Sequence, residues 1–152
     1  MNKILVLLYT GIILTACNNS ENKSSTGKHD EPTTHADSLL KDVMDGHDIA
    51  MGKMSRLTSA QKRVAGVLDS VNKLPEKSKQ LAASYKMQLD SLSEKLKDAD
   101  AIMNKWMSEF DYDTATKSTH RETYLESEKK KIAAVTEAMQ GALQKTDSLF
   151  KK

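Results

Sequence analysis

Cysteine is almost absent from this sequence, because Cys17 is the only one in the 152 residues. One cysteine cannot form a disulfide within the chain, and beyond it no cysteine remains to act as a nucleophile or a metal ligand. Long apolar runs are also lacking. The longest, Ile4 to Leu14, is shorter than the roughly 20 residues that a membrane-spanning helix requires. These shortages exclude a disulfide scaffold, a cysteine-based active site and a transmembrane helix.

An excess of one charge is lacking as well. The 23 basic and 21 acidic residues are interleaved, which leaves no electrostatic footprint for nucleic acid. The chain has no glycine-rich phosphate loop and no serine-centred nucleophile motif. None of its four histidines follows a glutamate by three positions, as a di-iron helical bundle would need. We therefore expect a non-enzymatic protein with no small-molecule substrate and no nucleic-acid partner.

The first residues have the features of a bacterial export signal. Lys3 supplies a positive charge, Ile4 to Leu14 forms the apolar stretch, and Leu14-Thr15-Ala16-Cys17 resembles a lipobox. This pattern predicts a lipoprotein signal peptide over residues 1–16 and a covalent lipid on Cys17. Residues 17–35 then form a flexible tether, since a segment this poor in apolar side chains cannot bury enough surface to fold. An acidic cluster just after the cysteine, which would resemble a surface-export signal, is absent here, and this leaves open which face of the membrane the protein occupies. We expect attachment to the outer membrane, on its periplasmic face.

Residues 36–152 carry a helical pattern. A first helix is predicted from about Thr34, where Thr34-x-x-Asp37 approximates a capping box, to about Leu74. Pro75 suits the first turn of a second helix, which is predicted to reach Phe110. A turn over 111–118 and a capping box at Thr119-x-x-Glu122 lead into a third helix. Because short connections make neighbouring helices antiparallel, the sequence predicts an all-α, elongated, up-down-up antiparallel three-helix bundle with coiled-coil-like packing.

Each predicted helix carries an apolar stripe at heptad-like spacing. Polar residues interrupt these stripes at four positions, His47, Gln61, Glu128 and Thr146, and Glu128 is the only charged residue on the third stripe. The first helix has two series, Leu40, His47, Met54, Gln61, Leu68 and Val43, Ala50, Leu57, Val64, Val71; the second has Leu81, Tyr85, Leu89, Leu92, Leu96, Ala99, Met103, Trp106, Phe110; the third has Leu125, Glu128, Ile132, Val135, Met139, Ala142, Thr146, Leu149.

Folding these stripes together predicts an unusual layer of His, Met and Trp. Reversal about Pro75 sets His47 level with Met103, and reversal near position 115 sets Met103 level with Glu128, to within about one helical turn. One interpretation is structural. The methionines fill gaps in the core, and Glu128 forms a buried polar pair with His47 that fixes helix register.

The alternative interpretation is a soft-metal site. Its predicted ligands are one imidazole and four thioethers: His47, Met51, Met54, Met103 and Met107. Thioethers select Cu(I), and by the same softness Ag(I), over hard cations. The Trp106 ring would cap the cation through its π face. Glu128 discriminates between the two interpretations, since a carboxylate that points away from His47 leaves the imidazole free to bind.

The helical motifs also resemble a known group of proteins. His47-Asp48-x-x-Met51-x-x-Met54, Met103-x-x-Trp106-Met107-x-x-Phe110 and Leu125-x-x-Glu128 are similar to those of small Bacteroidota lipoproteins sometimes labelled "viral A-type inclusion protein". The resemblance covers most of residues 36–150. It implies a helical exported lipoprotein and no particular activity, because the viral label reflects coiled-coil similarity.

These observations together predict a membrane-anchored cell-envelope lipoprotein. We expect it to act as a non-enzymatic helical binding or scaffolding module, with the membrane and an envelope protein as partners. The alternative function is that of a periplasmic Cu(I)- or Ag(I)-binding protein that uses the His, Met and Trp layer.

Overall fold

The computed structural model describes residues 34–151, and within this range every regular element is a helix. The four helices are α1 (His35–Asn72), α2 (Glu76–Glu109), α3 (Tyr112–Lys117) and α4 (Arg121–Phe150). They pack against one another around one apolar core. The predicted all-α class is therefore confirmed. The predicted signal peptide, Cys17 and nearly all of the predicted tether lie outside the described residues.

The start of α1 is determined locally, as the sequence predicts. The Thr34 side chain accepts a hydrogen bond from the Asp37 backbone N–H, and the Asp37 carboxylate accepts one from the Thr34 N–H, both at 3.1 Å. This reciprocal pair satisfies two donors that a helix start would otherwise leave free. At the other end, α1 stops at Asn72 and Pro75 caps α2, because proline cannot continue a helix.

The three long helices alternate in direction. Lys129 of α4 bonds Asp42 of α1, and Phe150 of α4 packs under Arg63 of α1. Both pairs are separated by 87 residues, so α1 and α4 run in parallel. The Gln61 amide of α1 donates to the Leu96 carbonyl of α2. Since the His47 ring meets Trp106, further along α2, α2 runs the opposite way.

The two predicted stripes of α1 are buried to different extents. The series that begins at Val43 is buried throughout, whereas the series that begins at Leu40 is only half-buried. The second series includes Gln61, which reaches the α2 backbone from the groove between α1 and α2. The Val43 series therefore faces the core that all three long helices share, and the Leu40 series faces the edge of the α1–α2 contact.

The stripe on α2 is buried only along part of its length. It is covered from Leu89 to Trp106, but Leu81 is 84% exposed, so the prediction that Leu81 lies in the core is wrong. The reason is the length of α4. Because its last residue, Phe150, lies beside Arg63, α1 continues for more than two turns beyond α4. Among the described helices, α1 is therefore the only one that packs against the first turns of α2.

The connection from α2 to α4 departs from the prediction. The expected turn contains α3, whose N-cap Asp111 accepts hydrogen bonds from the backbone N–H groups of Asp113 and Thr114. The Thr119 capping box does not form, since the N-cap of α4 is His120 with no side-chain bond. Arg121 holds this junction instead: it donates to the Ala115 carbonyl and, at 2.7 Å, to Asp37.

Within residues 34–151, no helix is both long enough and apolar enough to cross a membrane.

Candidate functional site

His47 is presented by the middle of α1 with a defined ring orientation. Its side chain is half-buried, and Nδ1 lies 3.0 Å from Asp48 Oδ1. A carboxylate only accepts, so Nδ1–H is the donor and the neutral imidazole keeps its lone pair on Nε2. Across residues 34–151, Nε2 has no hydrogen-bond partner. This arrangement, with one nitrogen held by a carboxylate and the other free, is typical of metal-binding histidines.

Asp48 is thus a candidate functional residue to which the sequence interpretation assigned no role. What could have indicated Asp48 in the sequence is its position directly after His47. That signal is weak, because adjacent residues on a helix usually point in different directions.

A chain of aromatic rings joins α1, α2 and α4 at this level. The ring centroid of Trp106 lies 5.6 Å from that of His47 and 5.0 Å from that of Phe110. Phe110 in turn lies 6.0 Å from Tyr124. Each such pair contributes about 0.5–1.5 kcal/mol beyond its buried area. His47 meets Trp106 where the folding arithmetic placed Met103, a difference of about one helical turn.

The Trp106 indole carries an unsatisfied polar group. Its Nε1 is buried, and among the described residues no acceptor lies within hydrogen-bond distance. An unsatisfied buried donor costs on the order of 1–3 kcal/mol. The ring layer is therefore less stable than its packing alone would make it, and the sequence could not show this.

The predicted thioethers differ in accessibility. Met103 is fully buried and Met54 half-buried, whereas Met51 is 41% and Met107 39% exposed. The helices α1 and α2 are antiparallel, and His47 contacts Trp106. Met51, one turn after His47, is therefore level with Met103, one turn before Trp106. Met54 lies about 10 Å along the helix axis from His47. The contact between His47 and Trp106 therefore favours Met51 and Met103 over Met54 as neighbours of the His47 imidazole.

Glu128 does not pair with His47. Its side chain is almost fully buried, and Oε1 accepts a hydrogen bond from Lys131 Nζ at 2.7 Å. Lys131 lies three residues further along α4, on the same face, and extends its ammonium group from a half-exposed position. The hydrogen bond to Glu128 raises the pKa of Lys131. The expected pair fails because of the register between α1 and α4: residues 87 positions apart lie level, which places Glu128 about six residues, or about 9 Å, along the helix axis from the level of His47. The i, i+3 spacing of Glu128 and Lys131 could have indicated the actual partner.

Tyr124 connects the ring layer to the start of α3. Its hydroxyl oxygen accepts a hydrogen bond from the Asp111 backbone N–H at 2.7 Å. Burial of the phenol raises the pKa of Tyr124. The hydroxyl of Thr114 donates to the Asp111 carboxylate and lowers the pKa of Asp111. The Tyr124 hydroxyl thus joins α4 to the start of α3, in addition to the bond from Arg121 to Ala115.

Residues 34–151 contain no cluster of three or more His, Cys, Asp or Glu side chains placed to hold a metal ion. Thioethers are donors of a different kind. Comparison with protein-family models, curated proteins and solved structures finds no match for this chain. Cys17, the predicted lipid-attachment residue, lies outside the described part of the chain.

Proposed function

We propose that this protein is a lipid-anchored, non-enzymatic binding module of the bacterial cell envelope. In this proposal, Cys17 carries the lipid, the outer membrane holds the protein on its periplasmic face, and α1, α2 and α4 form an elongated up-down-up three-helix bundle. The module engages an envelope protein through the end of the α1–α2 hairpin. We call this end, formed by residues 64–88, the hairpin tip.

The observation that carries the proposal is the exposure of Leu81. Leu81 continues the stripe of Tyr85 and Leu89 at a spacing of four residues, which sets the three side chains on one face of α2. Leu89 is fully buried, whereas Leu81 is 84% exposed. At the tip, α2 therefore still presents an apolar side chain, but α4 does not extend far enough to cover it.

The occupant that fits this surface is an amphipathic helix from another protein. Along the rest of the hairpin the same stripe is covered by α4, which is a helix. The surface at the tip continues that interface beyond Phe150. A partner helix with an apolar stripe would bury Leu81 by inserting side chains into the gap between α1 and α2.

The position of the tip suits an anchored module. The chain from Cys17 enters α1 at His35, and the tip lies at the other end of this 38-residue helix. At about 1.5 Å per residue, the two ends of α1 are about 55 Å apart. The binding surface is thus separated from the start of α1 by the length of the helix.

The anchor is tested by replacing Cys17. In cells fed labelled palmitate, the unmodified chain should carry label and fractionate with membranes, and Cys17→Ser should lose both properties. Label that persists in Cys17→Ser would contradict lipidation at this residue.

The partner surface is tested by photo-crosslinking in the native host. A photoreactive amino acid at position 81 should give a discrete adduct with an envelope protein, and Leu81→Lys should abolish binding of that protein. Met87 is a matched control, because it is also highly exposed on the tip but lies on a different face of α2. Equal adducts from positions 81 and 87, or an adduct only with a second copy of this chain, would contradict the proposal.

A further inference from the structure

The ring layer at the opposite end of the hairpin has features that a purely structural role leaves unexplained. His47 is held by Asp48 with Nε2 free, and its ring lies against the only tryptophan of the chain. Two methionines near this contact, Met51 and Met107, expose about two fifths of their surface. Their accessibility leaves both thioethers open to a cation from solvent.

From this placement we propose that His47 and the neighbouring thioethers form a binding site for a soft monovalent cation, Cu(I) or Ag(I). The ligands are His47 Nε2 and the sulfur atoms of Met51 and Met103. Met107, beside Trp106 and accessible from solvent, supplies a further thioether. The site lies in the groove between α1 and α2.

The choice of metal follows from the donors. An imidazole nitrogen combined with uncharged thioethers suits a soft, singly charged ion, whereas hard cations require carboxylate or carbonyl oxygen. Glu128, the buried carboxylate of this layer, is neutralised by Lys131. It therefore does not compete for His47.

The geometry supports entry of the ion from solvent. Met51 lies one turn after His47 on the same face of α1, and its partial exposure opens that side to water. Met103 is fully buried one turn before Trp106 on α2, so this ligand of the proposed site comes from the core. Asp48 is the positioning residue, since its hydrogen bond to Nδ1 determines which ring nitrogen faces outward.

The site is tested by titration of the full chain carrying Cys17→Ser, in detergent and chloride-free buffer, with Ag(I). The substitution removes the one thiol, which would otherwise bind the ion. Fluorescence reports on Trp106 alone, because the chain has no other tryptophan. We expect saturable quenching at one equivalent of Ag(I), the same behaviour with Cu(I) under anaerobic reducing conditions, and no response to Mg²⁺.

Matched variants separate this site from adventitious binding. We expect Met51→Leu and His47→Gln each to weaken Ag(I) binding at least tenfold, and Met87→Leu, an exposed methionine on the hairpin tip, to change it less than twofold. Met51→Leu keeps an exposed apolar side chain, so it remains informative if His47→Gln disturbs folding, which circular dichroism would reveal. Unchanged binding in Met51→Leu, equal weakening in Met87→Leu, or no saturable quenching would overturn the proposal.

Discussion

The two ends of the α1–α2 hairpin carry similar apolar stripes that meet different surroundings. At the ring layer, α4 and α3 pack near the end of α2, and Trp106 is buried. At the hairpin tip no other described helix reaches the stripe, and Leu81 is exposed. An apolar stripe therefore shows where a helix can bury surface, whereas the length of its neighbour decides whether it does so.

The largest expected difference lies between two leucines of the same stripe. Leu92 is almost fully buried and Leu81 is exposed. Leu92→Ala should lower the free energy of unfolding by about 2–5 kcal/mol, because it leaves a cavity in the core, and Leu81→Ala should change it by less than about 0.5 kcal/mol. Chemical denaturation of both variants measures the difference. Similar losses would mean that the stripe is covered at the tip.

Two lysine–carboxylate pairs provide the next comparison. Lys131 neutralises buried Glu128, whereas Lys73 bonds an exposed Asp69 at the tip. Lys131→Ala should cost about 1–3 kcal/mol, since it leaves a buried carboxylate without its partner, and Lys73→Ala should cost less than about 0.5 kcal/mol. The combined Lys131→Ala and Glu128→Leu variant should recover the lost stability, because a hydrophobic side chain needs no cation. No recovery in urea denaturation would count against this explanation.

Two glycines of α1 should respond oppositely to alanine. A Cβ at Gly46 would lie 3.0 Å from the Ile132 Cγ2 atom on α4, whereas one at Gly66, near the tip, would meet nothing within 4 Å. Gly66→Ala should raise the free energy of unfolding by about 0.4–1 kcal/mol by restricting the unfolded chain. Gly46→Ala should not raise the free energy of unfolding, because buried Ile132 must move to make room for the new Cβ. Thermal melts that show equal stabilisation would indicate that α4 adjusts freely.

The smallest expected effect is a loss of stability at high pH. The folded state raises the pKa of Tyr124 by burial and that of Lys131 by its bond to Glu128. Folding thus favours the protonated form of both groups, so their contribution is present below about pH 10 and is lost as the pH rises through the raised values. Unfolding measured between about pH 9 and 11 should show this decline, with a smaller slope in Tyr124→Phe. An increase over this range would contradict the assignment.

Local chemistry made part of this molecule predictable. The Thr34–Asp37 capping box and the break at Pro75 depend only on residues a few positions apart, and both are present as expected. The stripe from Leu89 to Trp106 was equally evident from its spacing. The meeting of His47 with the Trp106 region followed from one helix reversal, about Pro75, with an error of about one turn.

Other features depended on how the helices are placed relative to one another. The offset of 87 residues between α1 and α4 places Glu128 about six residues from the level of His47, so its partner is Lys131 on its own helix. The expected cap of α4 does not form, and Arg121 at the start of this helix binds Asp37, which lies 84 residues away. Spacing along a helix shows which side chains share a face, but it does not rank the partners that other helices bring.

The sequence by itself therefore determined that these residues are helical, where the first helix begins, where the chain reverses at Pro75 and which faces are apolar, because these depend on short-range hydrogen bonding and helical periodicity. Only the tertiary structure decided that Leu81 is exposed, that Met51 is accessible beside His47, and that Glu128 belongs to Lys131. These outcomes depend on where α4 ends and on how closely helices approach, and both are set by packing across the whole core.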